Sequence, residues 1–229
     1  EVMKSVIEDL SKTKHSRLAF HTHRQASDYL LSKAPEVVGN GFDLKKYDFQ
    51  PKGDGPLGWA GRIAPEKGLE DAVAVAGSMN DRLLVWGVIE DSSYAEFIEA
   101  SAPKHTIDWR GFLPTDELQK QLGTCRAFLN TPKWNEAYGN VVVEAMACGV
   151  PVIAYDRGGP GEIINSGETG WLVTPDDVEE MINLTLKVHE IDRKNCREWV
   201  EEFASQNSFA LRIVNWINAG IAENKLKNK

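Results

Sequence analysis

The chain has 229 residues, of which 42% are hydrophobic and 26% are charged, so it can bury a sizeable core and is not disordered. Its formal net charge of −8 at pH 7 argues against nonspecific binding to nucleic acid or to an anionic membrane, so an anionic ligand must meet a local cluster of cations. No stretch has the roughly 20 consecutive apolar residues of a membrane span. The three cysteines are odd in number and widely spaced, which fits a reducing cytoplasm and no zinc site.

The first 39 residues fit the rest of the chain poorly. We predict a strand in "SRLAFHT" (16–22) and a helix in "RQASDYLLSKA" (24–34). His21 and His23 alternate on that strand, and because no third ligand is apparent near them, a polar strand edge is a better interpretation than a metal site. The chain opens on Glu1 rather than Met, so we interpret residues 1–39 as the tail of another domain whose main body is absent.

A glycine-rich segment with little periodicity follows, and we predict a linker over residues 40–56. The stretch "GDGPLG" (53–58) matches the G-x-G-x-x-G pattern of dinucleotide-binding turns. That pattern must follow a strand and open a helix, whereas here it precedes a predicted strand. We therefore exclude it as a dinucleotide site.

From residue 57 onward, short apolar runs alternate with helical stretches. The predicted strands are 57–61, 82–88, 105–109, 125–130, 150–155 and 171–173. The predicted crossover helices are 67–79, 91–101, 115–123 and 140–148. Repeated βα units predict an α/β fold with a doubly wound parallel sheet covered by helices on both faces. After about residue 176 the pattern predicts helices only, packed on the flank of the sheet.

The stretch "NEAYGNVVVEAMACGVPVIAYDRGG" (135–159) combines a loop with the start of a helix. The loop follows strand 125–130, so it lies at the carboxyl edge of the sheet, where open α/β sheets bind ligands. The helix begins after Gly139 with Asn140 as its predicted capping residue, and its N-terminus favours an anion, most often a phosphate. Glu136 lies in the loop and Glu144 lies one turn into the helix.

Glu144 interrupts a helix that is apolar on nearly every other face, and such a helix is usually buried. A buried carboxylate needs hydrogen-bond donors, and the two adjacent hydroxyls of a ribose would match its two oxygens. The alternative is that Glu144 reaches solvent and only supports the helix. The local pattern does not decide between these interpretations.

The turn after the first predicted strand, in "GWAGRIAPEKGLEDAV" (58–73), carries Arg62 and Lys67. Gly61 closes the strand and Gly68 starts the helix. Arginine offers a planar fork to phosphate oxygens and lysine a compact charge, so together they could neutralise a diphosphate without a metal. The alternative is two solvated surface charges, but both residues lie at the edge where a ligand is expected.

These motifs together resemble a known family. "GRIAPEKG" (61–68), "EAYGNVVVEAMACGVPVIA" (136–154) and "GGPGEII…GETGWLV" (158–173) look like the C-terminal, donor-binding domain of glycosyltransferase family 4, whose members have the two-domain GT-B fold. "VVGNGFDLKKYDF" (37–49) resembles the family's linker signature, and "IDWRGFLPTDEL" (107–118) resembles a turn of its second domain. The resemblance covers roughly residues 17–220.

The resemblance implies a division of the chain. Residues 57–205 would form a Rossmann-like domain that binds a nucleotide sugar, residues 1–39 would end an N-terminal acceptor-binding domain, and residues 206–229 would form a C-terminal helix crossing back toward that domain. In an isolated chain this helix would expose Phe209, Ile213 and Trp216. We therefore predict either a companion chain or an exposed apolar patch.

The resemblance also implies roles for single residues. Arg62 and Lys67 would grip the diphosphate of the donor and stabilise the charge of the leaving group. Glu144 would hold the ribose hydroxyls, and Glu136 would contact hydroxyls of the transferred sugar and favour an oxocarbenium-like transition state. Further contacts are expected from Gly61, from the turn of Gly111, Phe112 and Leu113 to the base, and from backbone N–H groups of Ala137, Tyr138, Gly139 and Asn140.

The resulting expectation is a retaining glycosyltransferase that moves a hexose from a nucleotide-diphosphate sugar, with a UDP-sugar favoured, to an unknown acceptor. No cofactor or metal is expected, and the sequence contains no Asp-x-Asp. The expected partner is the missing N-terminal domain, in the same protein or in a companion chain, with no nucleic acid and no transmembrane segment. The expected location is cytoplasmic, with peripheral membrane association left open. The alternatives are a GT-B sugar-nucleotide epimerase and a noncatalytic subunit that binds a sugar nucleotide.

Overall fold

The structure is a computed structural model that describes residues 2–227. A six-stranded sheet forms its centre, and all strand pairs are parallel. The strands are β1 (Gly55–Ala60), β2 (Leu83–Trp86), β3 (Ile107–Gly111), β4 (Cys125–Asn130), β5 (Val152–Tyr155) and β6 (Gly170–Val173). Their order in the sheet is β3-β2-β1-β4-β5-β6. This order confirms the predicted doubly wound α/β fold.

Helices cover both faces of the sheet. The helices of the α/β units are α3 (Leu69–Ser78), α4 (Ser92–Ser101), α5 (Thr115–Leu122), α6 (Asn140–Ala147), α7 (Pro160–Ile163) and α8 (Val178–Thr185). Alternate residues along each strand point to opposite faces, so the core divides into two clusters. On one face Phe128 packs with Val142 and Met146 of α6. On the other face Leu129 packs with Leu69 and Val73 of α3.

The switch in strand order lies between β1 and β4, whose register pairs Gly58 with Phe128. The chain runs from β1 outward to β3 on one side and from β4 outward to β6 on the other. The loops that leave the carboxyl ends of β1 and β4 therefore separate to opposite faces and open a crevice between them. This crevice places the turn of Arg62 and Lys67 beside the loop of Glu136.

Predicted strand bounds agree with the structure at β4 and differ by up to two residues elsewhere. The predicted strand 105–109 begins later, at Ile107. His105 has φ +68, in the left-handed region, and the N–H of Thr106 bonds the carbonyl of Pro103. This turn keeps residues 103–106 out of the strand.

The N-terminal segment differs from its prediction. Helix α1 (Val2–Lys14) precedes a short 3₁₀ turn (His15–Arg17), and α2 contains only His23–Ala26. The predicted strand 16–22 is wrong, because the single bridge between Phe20 and Val37 gives it no ladder. The predicted helix 24–34 is wrong beyond Ala26. His21 and His23 therefore do not share a strand face: His21 lies in a bend and His23 begins α2.

Residues 40–56 pack against the sheet domain along their length. The N–H of Phe42 bonds the carbonyl of Ala204, and the N–H of Gln50 bonds the carbonyl of Cys148. Arg197 donates to the carbonyl of Tyr47 at 2.8 Å. The Tyr47 side chain is 7% exposed and belongs to the core. This segment thus brings a buried phenol to the domain.

The chain ends with α9 (Arg193–Trp199), a π-helical turn (Val200–Ala204) and the long helix α10 (Gln206–Lys227). Phe209, Ile213 and Trp216 of α10 are partly buried, so the predicted exposed set is wrong. The helix turns that side inward because Phe209 lies against Gly41 and Arg212 donates to the carbonyl of Val38 at 2.6 Å. Leu211, Val214, Ile217 and Ile221 are the large apolar side chains exposed among those of α10 that the structure describes.

Candidate active site

A cavity of about 520 Å³ opens at the carboxyl edge of the sheet, in the crevice between β1 and β4. This size is in the range of small-molecule sites. Apart from Gly111, the residues predicted for the site line it: Gly61, Arg62, Lys67, Phe112, Leu113, Glu136, Ala137, Tyr138, Gly139, Asn140 and Glu144. The structure therefore brings together residues from three separate segments of the sequence, 61–67, 112–113 and 136–144.

An ion pair joins the two loops that flank the cavity. Lys67 ends a 3₁₀ turn (Pro65–Lys67), and its Nζ lies 2.6 Å from Oε2 of Glu136. Both side chains are less than 20% exposed. Trp134 donates from Nε1 to the same carboxylate oxygen at 3.2 Å, and the Lys67 ammonium lies 4.7 Å from the centre of its ring. The lysine thus meets an anion and an aromatic face at once.

Arg62 lies at the mouth of the cavity and is more exposed than Lys67. Its guanidinium donates to Oε2 of Glu90 at 2.5 Å and to Oε1 of Glu66 at 2.8 Å. The side chain is 46% exposed, so these pairs are screened by solvent. Both cations of the site are therefore held by carboxylates, which an anionic ligand would have to replace.

The N-terminus of α6 lines the cavity and has no side-chain cap. Its N-cap is Gly139, with φ +96. The predicted cap at Asn140 is wrong, because the left-handed Gly139 takes that position and Asn140 is the first helical residue. The Asn140 Oδ1 instead accepts a hydrogen bond from Asn40 at 2.9 Å. Uncapped N–H groups and the helix dipole make this edge suitable for an anion.

Glu144 lines the cavity and is partly buried. Its Oε1 accepts a hydrogen bond from the Tyr47 hydroxyl at 2.9 Å. Burial raises the pKa of Glu144, and the hydrogen bond from Tyr47 partly opposes this effect. The carboxylate thus has one donor from the chain and retains acceptor capacity toward the cavity. This placement favours the buried interpretation over the solvent-facing one.

The far end of the cavity has apolar walls. Phe112 follows Gly111 at the end of β3 and is 70% exposed, whereas Leu113 packs against the core. Trp86 is buried, and its Nε1 donates to Gln121 at 3.2 Å. An exposed aromatic ring beside an apolar wall can accept a flat ring by stacking.

Tyr138 contributes to the site mainly through its main chain. Its side chain is 7% exposed, and its ring stacks on Phe42 with 6.5 Å between the centroids. The preceding carbonyl, of Ala137, accepts a hydrogen bond from Thr22 at 2.8 Å. The loop from Glu136 to Gly139 is therefore anchored by a buried ring and by the N-terminal segment.

Sequence reasoning missed several residues of the cavity. One of them is Asn130, the last residue of an apolar strand. Tyr47, which donates to Glu144 without lining the cavity itself, was also missed and lies in the segment predicted as a linker. The remaining unpredicted lining residues are His21, Asn40, Trp59, Ala60, Trp86, Gly87, Val88, Leu118, Pro132 and Val141. A polar residue at the carboxyl end of β4 was a usable signal for Asn130, since ligands bind at that edge. Tyr47 carried no comparable local signal.

Metal-binding and thiol chemistry find no support in the part of the chain that the structure describes. Within residues 2–227 no group of three or more His, Cys, Asp or Glu side chains is placed to hold a metal ion. Cys125, Cys148 and Cys196 are buried, and burial raises the pKa of each thiol to about 12. Such thiols are poor nucleophiles at neutral pH.

Comparison with known proteins identifies the family. Residues 46–206, which contain the whole sheet and most of the cavity, match the family of glycosyl transferases group 1. The chain belongs to this family. Among the helices of residues 2–227, none combines the length and apolar character needed to cross a membrane.

Two relatives illustrate the range of these glycosyl transferases. A 2-deoxystreptamine glucosyltransferase from Streptomyces kanamyceticus is 30% identical over 187 residues, which cover 76% of this chain and 48% of the relative. An uncharacterized glycosyltransferase from Methanocaldococcus jannaschii is 32% identical over 189 residues, which cover 80% of this chain and 52% of the relative. The chain thus spans about half the length of these relatives.

Solved glycosyl transferases share the fold. AviGT4, a glycosyltransferase involved in avilamycin A biosynthesis, aligns with a TM-score of 0.79 at 20% identity, over 90% of this chain and 63% of AviGT4. Anabaena HepE in complex with UDP and glucose aligns with a TM-score of 0.73 at 20% identity, over 81% of this chain and 57% of HepE. This likeness confirms the predicted Rossmann-like fold of GT-B type.

Proposed function

We propose that this chain supplies the donor site of a retaining glycosyltransferase that moves a hexose from a nucleoside-diphosphate sugar to an acceptor without a metal ion. The observation that carries the proposal is the cavity between β1 and β4, where Arg62, Lys67, Glu136 and Glu144 meet the uncapped N-terminus of α6. The cations and anion-binding N–H groups would match the diphosphate of such a donor, and the carboxylates would match the hydroxyls of its sugars. The resemblance to glycosyltransferase family 4 supports retention of anomeric configuration.

The diphosphate would lie between the turn of β1 and the start of α6. Arg62 and Lys67 would exchange their present carboxylate partners for phosphate oxygens. As the bond to the sugar breaks, negative charge grows on the leaving phosphate, and preorganised cations and N–H groups typically stabilise such charge by several kcal/mol. These groups would do the work that a metal ion does in other transferases.

The two glutamates would hold the sugars at either side of the diphosphate. Glu144 would accept hydrogen bonds from the ribose diol with the capacity that Tyr47 leaves unused. Glu136, released from Lys67, would accept from hydroxyls of the hexose and offset positive charge at the anomeric carbon. The wall of Phe112 and Leu113 would take the base, with a UDP-sugar as the favoured donor.

The acceptor site would belong to an N-terminal domain, in the same protein or in a companion chain. This agrees with the chain spanning about half the length of its relatives. Residues 1–39 would be the end of that domain, residues 40–56 the connection, residues 57–205 the donor domain, and residues 206–229 the helix that returns toward the acceptor side. The protein would act in the cytoplasm, at or away from a membrane surface.

Calorimetric titration tests the donor site directly. We expect one of the nucleotides UDP, GDP and ADP to bind with micromolar affinity, either free or as its glucose or mannose conjugate. Arg62→Ala and Glu144→Ala should each weaken this binding by about tenfold or more. Arg82→Ala removes an exposed arginine that does not line the cavity and serves as the control. Equal affinity in all four proteins would contradict the assignment of the site.

Two further measurements test the chemistry. Titration with EDTA and then with Mg²⁺ should give the same affinity if no metal bridges the diphosphate. Incubation of the nucleotide sugar with candidate acceptors, followed by NMR of the anomeric proton, should show transfer with retention once the acceptor domain is present. A C2-epimeric sugar as the product would instead indicate an epimerase, and an unchanged donor would indicate binding alone.

A further inference from the structure

Asn130 occupies an unusual position in the cavity wall. It is the last residue of β4, it is partly buried and it lines the cavity. Its Oδ1 is buried and has no hydrogen-bond partner among the described residues. A buried polar atom without a partner lowers the stability of the folded chain, since it loses water and gains nothing in return.

The polar groups around Asn130 are paired. The hydroxyl of Thr131 accepts from Trp59 Nε1 at 3.2 Å and donates to the carbonyl of Gly68 at 2.7 Å. Trp86 and Glu144 also have partners. Five buried side-chain atoms within residues 2–227 have no hydrogen-bond partner, although one of them, on Asp81, is ion-paired with Arg126. Of these five, the Asn130 oxygen is the one that belongs to a cavity-lining residue of this site.

The position of Asn130 is central to the cavity. Its side chain shares a strand face with Phe128, which packs beneath α6, the helix of Glu144. The next residue, Thr131, contacts the turn that carries Lys67. Asn130 therefore lines the same cavity as the cations proposed for the diphosphate and the carboxylate proposed for the ribose, and its strand contacts the elements that carry Lys67 and Glu144.

We infer that Asn130 is a donor-binding residue whose side-chain amide hydrogen-bonds the nucleotide sugar and so pairs an atom that has no hydrogen-bond partner among the described residues. This inference rests on the proposed function and adds a residue to it. The terminal torsion of asparagine is broad, so the amide can turn its donor or its acceptor toward the cavity at little cost. An amide can donate to a phosphate oxygen and accept from a sugar hydroxyl.

The test compares stability and affinity in Asn130→Leu, which replaces the amide by an apolar group of similar size. Thermal unfolding without ligand should give a Tm equal to or above that of the wild type, because the unpaired oxygen is gone. Calorimetry uses whichever of UDP-glucose, GDP-glucose and ADP-glucose the wild-type chain binds. The dissociation constant should rise about fivefold to tenfold.

Two variants complete the test. Asn130→Val suits a strand and replaces the leucine variant if that one does not fold. Thr131→Val removes the neighbouring hydroxyl, which is fully paired, and should lower Tm. Substitutions at these two adjacent residues should therefore differ in their effect on Tm. Titration with the free nucleoside diphosphate shows which part of the ligand the amide contacts. If the Asn130 variant loses as much affinity for the diphosphate as for the nucleotide sugar, the amide contacts the nucleotide. If its affinity for the diphosphate is unchanged, the amide contacts the hexose.

The outcomes separate this inference from the proposed function. If the wild type binds a nucleotide sugar and the Asn130 variant binds it within twofold, the inference is overturned and the proposed function stands. Weaker binding with a lowered Tm in the variant assigns Asn130 a structural role and also overturns it. If the wild type binds none of the three sugars, both fail.

Discussion

Tyr47 and Glu144 form a hydrogen bond between residues 97 positions apart in the sequence. Tyr47 belongs to the segment before β1, and Glu144 belongs to α6 on the far side of the switch in strand order. The phenol has two consequences for the carboxylate: it restricts the direction of the side chain and it lowers the pKa that burial raises. We regard Tyr47 as a positioning residue for Glu144.

Tyr47→Phe should change the pH dependence of nucleotide binding. Without the hydroxyl, burial acts unopposed and the pKa of Glu144 rises further. Since the ionised carboxylate is the form that accepts from a ribose diol, affinity should begin to fall at a higher pH in the variant as the solution is acidified. Calorimetry between about pH 5 and pH 8 measures the two profiles.

Tyr94→Phe is the matched control for this substitution. The Tyr94 hydroxyl also donates to a glutamate, Glu70, but neither residue lines the cavity. Its pH profile should follow that of the wild type. If the Tyr47 variant also follows the wild-type profile, Tyr47 does not lower the pKa of Glu144.

At the residue scale, the sequence predicted the groups that lie in motifs and missed those defined by distant contacts. Arg62, Lys67, Glu136 and Glu144 could be predicted because each lies in a turn or helix whose position in the sheet is deducible. The partners that hold them, such as Glu90 for Arg62 and Tyr47 for Glu144, depend on side-chain packing that no local pattern records.

Among the elements, the turn from β1 to α3 depends on Gly68. Its φ of +66 is in the left-handed region, and a Cβ at this position would lie 2.0 Å from the carbonyl oxygen of Thr131. The two loops that flank the cavity therefore approach each other at a point that only glycine permits. This approach also allows Lys67 to reach Glu136.

Replacing a glycine such as Gly68 has two costs, one for the left-handed backbone conformation and one for the close approach of a neighbouring backbone. Comparing Gly68→Ala with Gly111→Ala separates them. Gly111 has φ +67, but a Cβ there would meet nothing within 4 Å. Gly111→Ala should therefore cost only the left-handed penalty, about 1–2 kcal/mol. Gly68→Ala should lower the free energy of unfolding by more, because the Thr131 backbone must also move, and it should weaken nucleotide binding. Urea unfolding of both variants measures the difference, and equal losses would show that the close approach carries no cost.

Element prediction was most accurate where tertiary and local signals agree. β4 and α6 match the prediction to within one residue, because a buried strand and an apolar helix both have strong periodicity. The prediction for segment 16–34 failed because, among the described residues, its strand pairing is limited to the single bridge between Phe20 and Val37. The elements of the α/β part were therefore predicted well, whereas those of the flanking segment 16–34 were not.

For the whole molecule, the exposed face of α10 is the main apolar surface of the C-terminal region. Leu211, Val214, Ile217 and Ile221 follow one another at spacings of three and four residues, so they form one stripe, and each is about half exposed or more. The opposite side of the helix packs against residues 38–41. The sequence predicted an apolar patch on this helix but assigned it to the wrong side.

We expect this stripe to make the isolated chain associate with itself as concentration rises. Replacing its centre in the double variant Val214→Glu, Ile217→Lys should reduce association without lowering Tm, because these side chains are exposed. Phe209→Ala, on the buried side, should lower Tm and leave association unchanged. Sedimentation velocity over a hundredfold range of concentration measures association, and a wild-type monomer throughout would contradict the expectation.

The pair of Lys67 and Glu136 has a consequence for the end of the proposed reaction cycle. A nucleoside diphosphate that leaves the cavity would ordinarily abandon a partly buried ammonium, and that loss would slow its departure. Here the carboxylate of Glu136, 2.6 Å away, would take over as the phosphate withdraws. Under the proposed function, the contact that the incoming donor must break would therefore also help the spent nucleotide to leave, at some cost in affinity.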